Sequence, residues 1–166
     1  MPEKSTITGV RRARCAGKSP SMQAAEFIRE EIHHVREGKH GARSTKQAIA
    51  IALSKARRAG VLLPAPKRRS ERVREQARRD LEKGKHPREP SRRRSRAVHR
   101  ALEREGSAAA TPAALSHQAR SSAAKRTAKA RSLSAEKAAR TKGPRRRREA
   151  ARKAARTRAG NRSRRA

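Results

Sequence analysis

The sequence has almost no aromatic residues and a single cysteine. Phe27 is the only aromatic side chain, since tryptophan and tyrosine are absent. Proteins that bind single-stranded nucleic acid or read RNA sequence usually stack bases on aromatic rings. The sequence therefore disfavours that class of binding protein. Cys15 alone excludes an internal disulfide.

Acidic residues and large apolar residues are also scarce. Hydrophobic residues make up 33% of the 166 residues, and 48 Lys/Arg against 14 Asp/Glu give a net charge of +34. Residues 1–66 carry 13 basic and five acidic residues, a net of +8, whereas residues 67–166 carry 35 and nine, a net of +26. Low hydrophobicity with high net charge is typical of chains that stay unfolded. These values predict a first part that folds and a second part that is a disordered polycation.

Several functional classes lack their sequence signals. No apolar run approaches the roughly 20 residues of a membrane span, and the N-terminus lacks the apolar core of a signal peptide. We therefore expect a soluble, cytoplasmic protein without a membrane partner. No triad, paired-carboxylate or glycine-rich cofactor pattern is present, which predicts no enzymatic activity and no cofactor. His33, His34, His40 and Cys15 lack paired zinc-ligand spacing, so we predict surface or turn histidines and no metal.

Residues 44–60 carry the clearest helix signals. Ser44 and Gln47 match a capping box, and Gly60 suits the left-handed position after the last turn. The predicted apolar stripe consists of Ile49, Ala52, Leu53, Ala56 and Ala59. These signals predict a helix whose N-cap is Ser44.

A preceding helix is predicted from Ser19 as N-cap and Pro20 at the first helical position to Gly38. Its stripe is Ala25, Ile28, Ile32 and Val35, with Met22 and Phe27 at the margin. Together the two helices form a predicted helical hairpin over residues 19–66. Because such a core is thin, we expect a homo-oligomer formed through the hairpin.

The predicted fold class is mostly α, with a short N-terminal helical hairpin followed by isolated helices in a largely disordered basic tail. Residues 1–18 are interpreted as a disordered basic arm. Residues 67–106 are predicted to form two marginal basic helices joined by a linker at 84–90. Residues 107–166, rich in alanine, arginine and lysine, are predicted to be a disordered tail.

Cationic density is the strongest functional signal, and it predicts binding to nucleic acid through phosphate contacts. Without stacking residues, double-stranded DNA is favoured over RNA. The predicted binding residues are Lys39, Arg43, Ser44, Lys46, Lys55, Arg57, Arg58, Lys67, Arg68, Arg69, Arg92, Arg93, Arg94, Arg145, Arg146, Arg147 and Arg148.

The start of the second helix, residues 41–46, is open to two interpretations. It is either a phosphate-binding helix N-terminus or an ordinary capped start, and P-loop spacing is absent. Residues 45–59 as the recognition helix of a helix–turn–helix motif are a further alternative. For the whole chain we predict a sequence-nonspecific, nucleoid-associated DNA-binding protein. The alternatives are an RNA- or ribosome-associated protein and a protein-interaction module that uses the hairpin.

Four stretches resemble a family of small, highly basic bacterial proteins of unknown function. They are KSP at 18–20, VREGKHGAR at 35–43, STKQAIAIALSKARRAG at 44–60 and RSRAVHRALEREG at 94–106. Members of that family are sometimes labelled as DNA-binding or plasmid-stabilisation proteins, so the resemblance implies a DNA-related role without an active site. The tail is similar in composition to histone-like Ala/Lys/Arg tails.

Overall fold

The structure, a computed structural model, describes residues 2–86 and 91–163. Its described part contains α-helices and one short 3₁₀ turn, and no strand occurs there. The helices are α1 (Lys4–Cys15), α2 (Pro20–Arg36), α3 (Thr45–Arg58), α4 (Glu71–Lys85), α5 (Arg92–Glu103), α6 (Pro112–Ala124) and α7 (Ala128–Ser163). The chain divides into two compact units, residues 1–118 and residues 119–166. None of the described helices combines the length and apolarity that a membrane crossing needs.

The predicted ends of α2 and α3 are confirmed. Ser19 is the N-cap of α2 with Pro20 at its start, and Ser44 is the N-cap of α3. Ser44 Oγ accepts a hydrogen bond from the backbone N–H of Gln47 at 3.2 Å. The Gln47 side chain accepts from the N–H of Arg43 at 2.9 Å, one residue before the position that a capping box uses. Gly60 adopts φ 84°, the left-handed conformation that ends the helix.

The packing between α2 and α3 uses smaller residues than the sequence indicates. Ala48, Ala52 and Ala56 are fully buried along one face of α3, whereas Ile49 and Leu53 are only half-buried. On α2, Phe27 is 1% exposed and Ala25 is exposed, so the predicted marginal position of Phe27 is wrong. Alanines four residues apart share one helix face and let the helix backbones approach closely.

Residues 1–18 contain helix α1, which corrects the prediction of a disordered arm. Val10 and Ala13 of α1 are buried, and Val10 joins Phe27 and Val61 in one apolar cluster. The apolar residues of α1 recur at helical spacing, but the high density of arginine around them masks the pattern. Burial against α2 supplies the stabilisation that this short helix lacks by itself.

Helix α4 packs against α3, so it is not an isolated, marginal helix as predicted. Ala77 is buried, and Asp80 is 1% exposed. At the end of α4, Gly84 lies so close to α3 that a Cβ atom would stand 2.2 Å from the Arg57 carbonyl oxygen. Gly84 therefore belongs to the packed helix. Residues 87–90 of the predicted linker lie outside the described residues.

The segment after α5 closes the core at the other end of the α2–α3 hairpin. Ala109 and Ala110 are buried in a second apolar cluster with Ile32, Val35 and Ala48. Ala109 and Ala110 form a 3₁₀ turn (Ala108–Ala110) that contacts both α2 and α3. The first unit thus has a larger core than a two-helix hairpin, which removes the physical reason for which we expected a homo-oligomer.

The predicted disordered tail is wrong, because the described residues beyond 107 are largely helical. Helix α7 covers Ala128–Ser163 and is interrupted at Gly143, where φ is 68° and ψ is 168°. The following Pro144 lacks a backbone donor and begins the second part of the helix. Alanine, lysine and arginine have high helix propensity, and this preference prevails over the like-charge repulsion on which the disorder prediction depended.

Candidate nucleic-acid interface

Four of the predicted binding cations lie in internal contacts of the first unit. Lys55 Nζ lies 2.5 Å from Glu31 Oε2, a fully buried carboxylate. Arg58 Nε lies 2.7 Å from Asp80 Oδ1, which is also buried. Removing either cation would leave a buried carboxylate without its charged partner, which is costly. Lys55 and Arg58 therefore hold the fold together.

Lys39 and Arg57 have internal partners too. Lys39 Nζ lies 3.0 Å from Glu37 and 3.2 Å from Glu3, and the hydrogen bonds to these carboxylates raise the pKa of Lys39. Arg57 is 8% exposed and donates to the carbonyl oxygens of Leu63 and Pro64 at 3.1 and 3.4 Å. Burial lowers the pKa of Arg57. The charged groups of Lys39 and Arg57 are therefore engaged in contacts within the chain.

The N-terminus of α3, a predicted phosphate site, is partly covered by the chain. The N–H groups of Gly41 and Ala42 donate to Leu102 O at 2.9 Å and Gly106 O at 3.0 Å. Thr45 Oγ1 donates to Ala109 O at 2.6 Å. The phosphate interpretation requires these N–H and O–H groups to donate hydrogen bonds to a phosphate. Because they donate to carbonyl oxygens of the chain instead, the geometry favours an ordinary capped helix start.

What remains at the start of α3 is a pair of exposed cations, Arg43 and Lys46, beside the exposed N-cap Ser44. The exposed residues of α3 itself are Lys46, Ala50 and Arg58. A recognition helix needs a row of exposed side chains that reach base edges. Helix α3 has no such row, which argues against the helix–turn–helix interpretation.

The other predicted cations form three exposed clusters: Lys67, Arg68 and Arg69; Arg92, Arg93 and Arg94; and Arg145, Arg146, Arg147 and Arg148. The first precedes the N-cap of α4. The second forms the first turn of α5, which has no acidic residue there. The third follows Pro144 at the start of the second part of α7. A helix N-terminus carries partial positive charge, so cations there destabilise the helix until an anion binds.

Helix α7 carries the densest exposed charge. It contains 14 Lys/Arg against two Glu, a net of +12, and every one of these basic side chains is exposed. Arg145 is 93% exposed although it lies 3.6 Å from Glu149. An exposed pair of this kind holds its partners only weakly. The basic side chains of α7 are therefore accessible to an external polyanion.

A second group of polar residues is buried beneath the first unit's surface. Glu31, His34 and His40 each offer one potential ligand atom, and these atoms lie within 4.8 Å of one another. His34 and His40 are each 9% exposed. The prediction of a surface histidine is therefore wrong for His34, whereas His40 lies in the turn after α2, as predicted, and is buried there. His33 is exposed, as predicted, and Cys15 is exposed as well. The signal that sequence reasoning missed is Glu31-x-x-His34, a spacing that places a carboxylate and an imidazole on one helix face.

Glu3 connects α1 to this buried group. Glu3 Oε1 lies 2.8 Å from His34 Nε2 and 3.2 Å from Lys39 Nζ. Hydrogen bonds from His34 and Lys39 lower the pKa of Glu3 to about 2. Its backbone N–H also donates to Glu30 Oε1 at 3.2 Å, which fixes the N-terminal end of α1 on α2.

The fold and its surface define a basic, all-helical protein with a packed first unit and a cationic second unit. Residues 11–68 match the model of a family of unknown function, DUF6496. The match spans α2 and α3 and supports the predicted relation to an uncharacterised family, while it assigns no DNA-binding or plasmid-stabilisation role. No curated protein and no solved structure matches the chain significantly.

Proposed function

We propose that the protein is a non-enzymatic, nucleoid-associated protein that binds double-stranded DNA with little sequence preference. The observation that supports this most is the exposed charge of α7, a net of +12 over residues 128–163. Each lysine or arginine that contacts a phosphate releases condensed counterions, which favours binding at low salt. A helix with cations on all its sides contacts phosphates without a fixed register, so base sequence is not read.

The choice of DNA over RNA depends on side-chain chemistry. Sequence-specific RNA recognition usually stacks unpaired bases on aromatic rings, and the only aromatic residue here, Phe27, is buried in the core. Arginine inserts readily into the minor groove of duplex DNA without base-specific contacts. Both points favour a duplex as the ligand.

We assign binding to the predicted cations other than the four that lie in internal contacts of the first unit. These are Arg43, Lys46, Lys67, Arg68, Arg69, Arg92, Arg93, Arg94, Arg145, Arg146, Arg147 and Arg148. In the last two clusters the arginines stand in first helical turns, where a phosphate would relieve their unfavourable interaction with the helix dipole. Phosphate binding would therefore stabilise the helix as well as the complex.

The test is a titration of labelled duplex DNA over a series of salt concentrations, followed by fluorescence anisotropy. We expect the logarithm of the association constant to fall linearly with the logarithm of salt concentration. Replacing Arg145 to Arg148 by glutamine should reduce the slope by about 0.9 for each phosphate that the variant no longer neutralises. The matched control is Lys39→Gln, because Lys39 is held by Glu3 and Glu37. It should leave the slope unchanged.

Binding that does not depend on salt would refute the phosphate mechanism. Crosslinking in cells followed by sequencing of the bound nucleic acid identifies the ligand class. Recovery of mainly ribosomal RNA would favour the RNA-associated alternative over the DNA proposal.

A further inference from the structure

Within the described residues, three buried acceptor atoms near the end of α2 have no hydrogen-bond partner. They are Glu30 Oε2, Glu31 Oε1 and His40 Nε2. Glu31 is fully buried, and Glu30 and His40 are 6% and 9% exposed. An unpaired buried carboxylate oxygen or imidazole lone pair is costly, so such atoms usually indicate a bound water or ion.

The tautomer of His40 follows from its other ring nitrogen. His40 Nδ1 lies 3.1 Å from the carbonyl oxygen of Gly41, and a carbonyl can only accept, so Nδ1 carries the proton. In the neutral ring, Nε2 then presents its lone pair toward Glu31 Oε1 at 3.4 Å. In this neutral tautomer two acceptors face each other. The imidazole of a metal ligand is commonly oriented in this way, by an N–H donated to a backbone carbonyl.

His34 is the third potential metal ligand. It follows Glu31 by three residues, which puts both side chains on the same face of α2. The turn between α2 and α3 then brings His40 beside them, with the His34 and His40 ring centres 6.0 Å apart. Two imidazoles and one carboxylate are the ligands that zinc and similar first-row metals prefer.

We propose that Glu31, His34 and His40 form a binding site for a divalent transition metal such as Zn²⁺. The metal would join α2 to the turn that leads into α3 and would satisfy Glu31 Oε1 and His40 Nε2. Zinc–ligand bonds are about 2.0–2.2 Å long. Because the potential ligand atoms are up to 4.8 Å apart, the side chains must move closer together on binding.

The charged side chains around the site favour the binding of a cation. Lys55 Nζ lies 2.5 Å from Glu31 Oε2, so the second oxygen of this carboxylate, Oε1, is available to a metal. The buried carboxylate of Glu30 stands 4.0 Å from His34 Nε2, and that of Glu3 is 2.8 Å from the same nitrogen. The carboxylates of Glu3, Glu30 and Glu31 thus outnumber the two lysines that pair with them, Lys39 with Glu3 and Lys55 with Glu31. This leaves an excess of negative charge in a chain that is otherwise strongly basic.

The experiment is a calorimetric titration of the EDTA-treated full chain with Zn²⁺, together with NMR of the histidine imidazoles. We expect one Zn²⁺ per chain and shifted imidazole signals for His34 and His40. The other four histidines should be unaffected. His40→Gln should weaken binding by roughly 100-fold, and His117→Gln, at an exposed histidine, is the matched control that should not.

If His40→Gln fails to fold, which circular dichroism shows, His34→Gln and the NMR titration of the unaltered chain decide the question. Absence of saturable binding would overturn the proposal. Equal shifts of all six histidines would do so as well, because they indicate diffuse binding to surface imidazoles. The proposal does not depend on nucleic-acid binding.

Discussion

Asp80 is a buried carboxylate that joins α4 to α3. Its two oxygens accept from Ser54 Oγ at 2.6 Å, Arg58 Nε at 2.7 Å and Gln76 Nε2 at 3.1 Å. Asp80→Asn keeps the size of the side chain and removes its charge, so the charge-assisted bonds to Ser54 and Arg58 weaken. We expect the free energy of unfolding to fall by about 1.5–3 kcal/mol in urea denaturation followed by circular dichroism.

The matched control for Asp80 is Glu75→Gln on the same helix. Glu75 Oε2 pairs with Arg79 at 2.9 Å, and both side chains are exposed. Loss of an exposed pair within a helix should change the free energy of unfolding by about 0–1 kcal/mol. Equal effects of the two substitutions would show that α4 does not pack against α3 through Asp80.

Glu3 makes the folding stability of the first unit depend on pH, and the direction of this dependence follows from the lowered pKa of Glu3. Hydrogen bonds from His34 and Lys39 lower that pKa from 4.5 to about 2. A folded-state pKa below the unfolded value stabilises the fold above pH 4.5, and this stabilisation is lost as pH falls through about 2. Glu3→Gln should therefore lower the unfolding temperature at neutral pH.

The measurement is the difference in unfolding temperature between the unaltered chain and Glu3→Gln as a function of pH, in the presence of EDTA. The difference should shrink as the solution is acidified from pH 4.5 and should largely disappear near pH 2. A difference that is constant over this range would mean that Glu3 acts through packing alone.

At the level of elements, the sequence predicts helix ends better than helix partners. Ser19-Pro20, Ser44 with Gln47, and Gly60 act within a few residues, so their meaning can be predicted from local sequence. The buried face of α3 is made of alanines, which carry little hydrophobic signal. Its contacts with Ala109 and Ala110 join residues more than 50 positions apart, and no local pattern encodes them.

The same limit applies to the candidate metal site. Glu31 and His34 share a helical spacing that can be recognised in the sequence, but His40 lies beyond the end of α2. Only the path of the turn at Glu37–Gly41, and the docking of residues 102–106 onto it, places the His40 ring near Glu31. This arrangement is tertiary, which is why spacing rules for paired zinc ligands did not indicate it.

Gly41 tests whether residues 102–110 are a docked element. A Cβ atom on Gly41 would stand 1.7 Å from the Glu105 carbonyl oxygen, so Gly41→Ala should push this segment away from α3. We expect a loss of about 1–3 kcal/mol in the free energy of unfolding. The amide of Ala42, which donates to Gly106 O at 3.0 Å, should exchange faster with solvent.

Gly106→Ala is the control for Gly41→Ala, because a Cβ atom at Gly106 meets nothing within 4 Å. It should leave the exchange rate of the Ala42 amide and the unfolding free energy nearly unchanged. If Gly41→Ala behaves like Gly106→Ala, residues 102–110 do not pack on the turn before α3.

At the level of the whole molecule, composition alone did not predict how the charge is used. The net charge of +34 led us to predict a disordered tail, since repulsion was expected to exceed helix propensity. In the structure the two effects coexist, because α7 is helical and its cations are exposed. In the first unit, by contrast, Lys39, Lys55 and Arg58 are matched by carboxylates. The first unit therefore uses some of its basic residues inside the fold, whereas its clusters at 67–69 and 92–94 are exposed like the basic residues of α7.

This difference predicts that amide exchange in α7 responds to salt differently from amide exchange in α2 and α3. The Debye length falls from about 10 Å at 0.1 M salt to about 3 Å at 1 M, so repulsion among the 14 basic residues of α7 weakens as salt is added. Amide exchange measured by mass spectrometry should therefore slow in peptides from residues 128–163. Peptides from α2 and α3, whose buried ion pairs are screened less, should change little or lose some protection. Faster exchange in α7 at high salt would contradict a helix limited by its own charge, and it would also remove the physical basis for expecting phosphate to stabilise that helix.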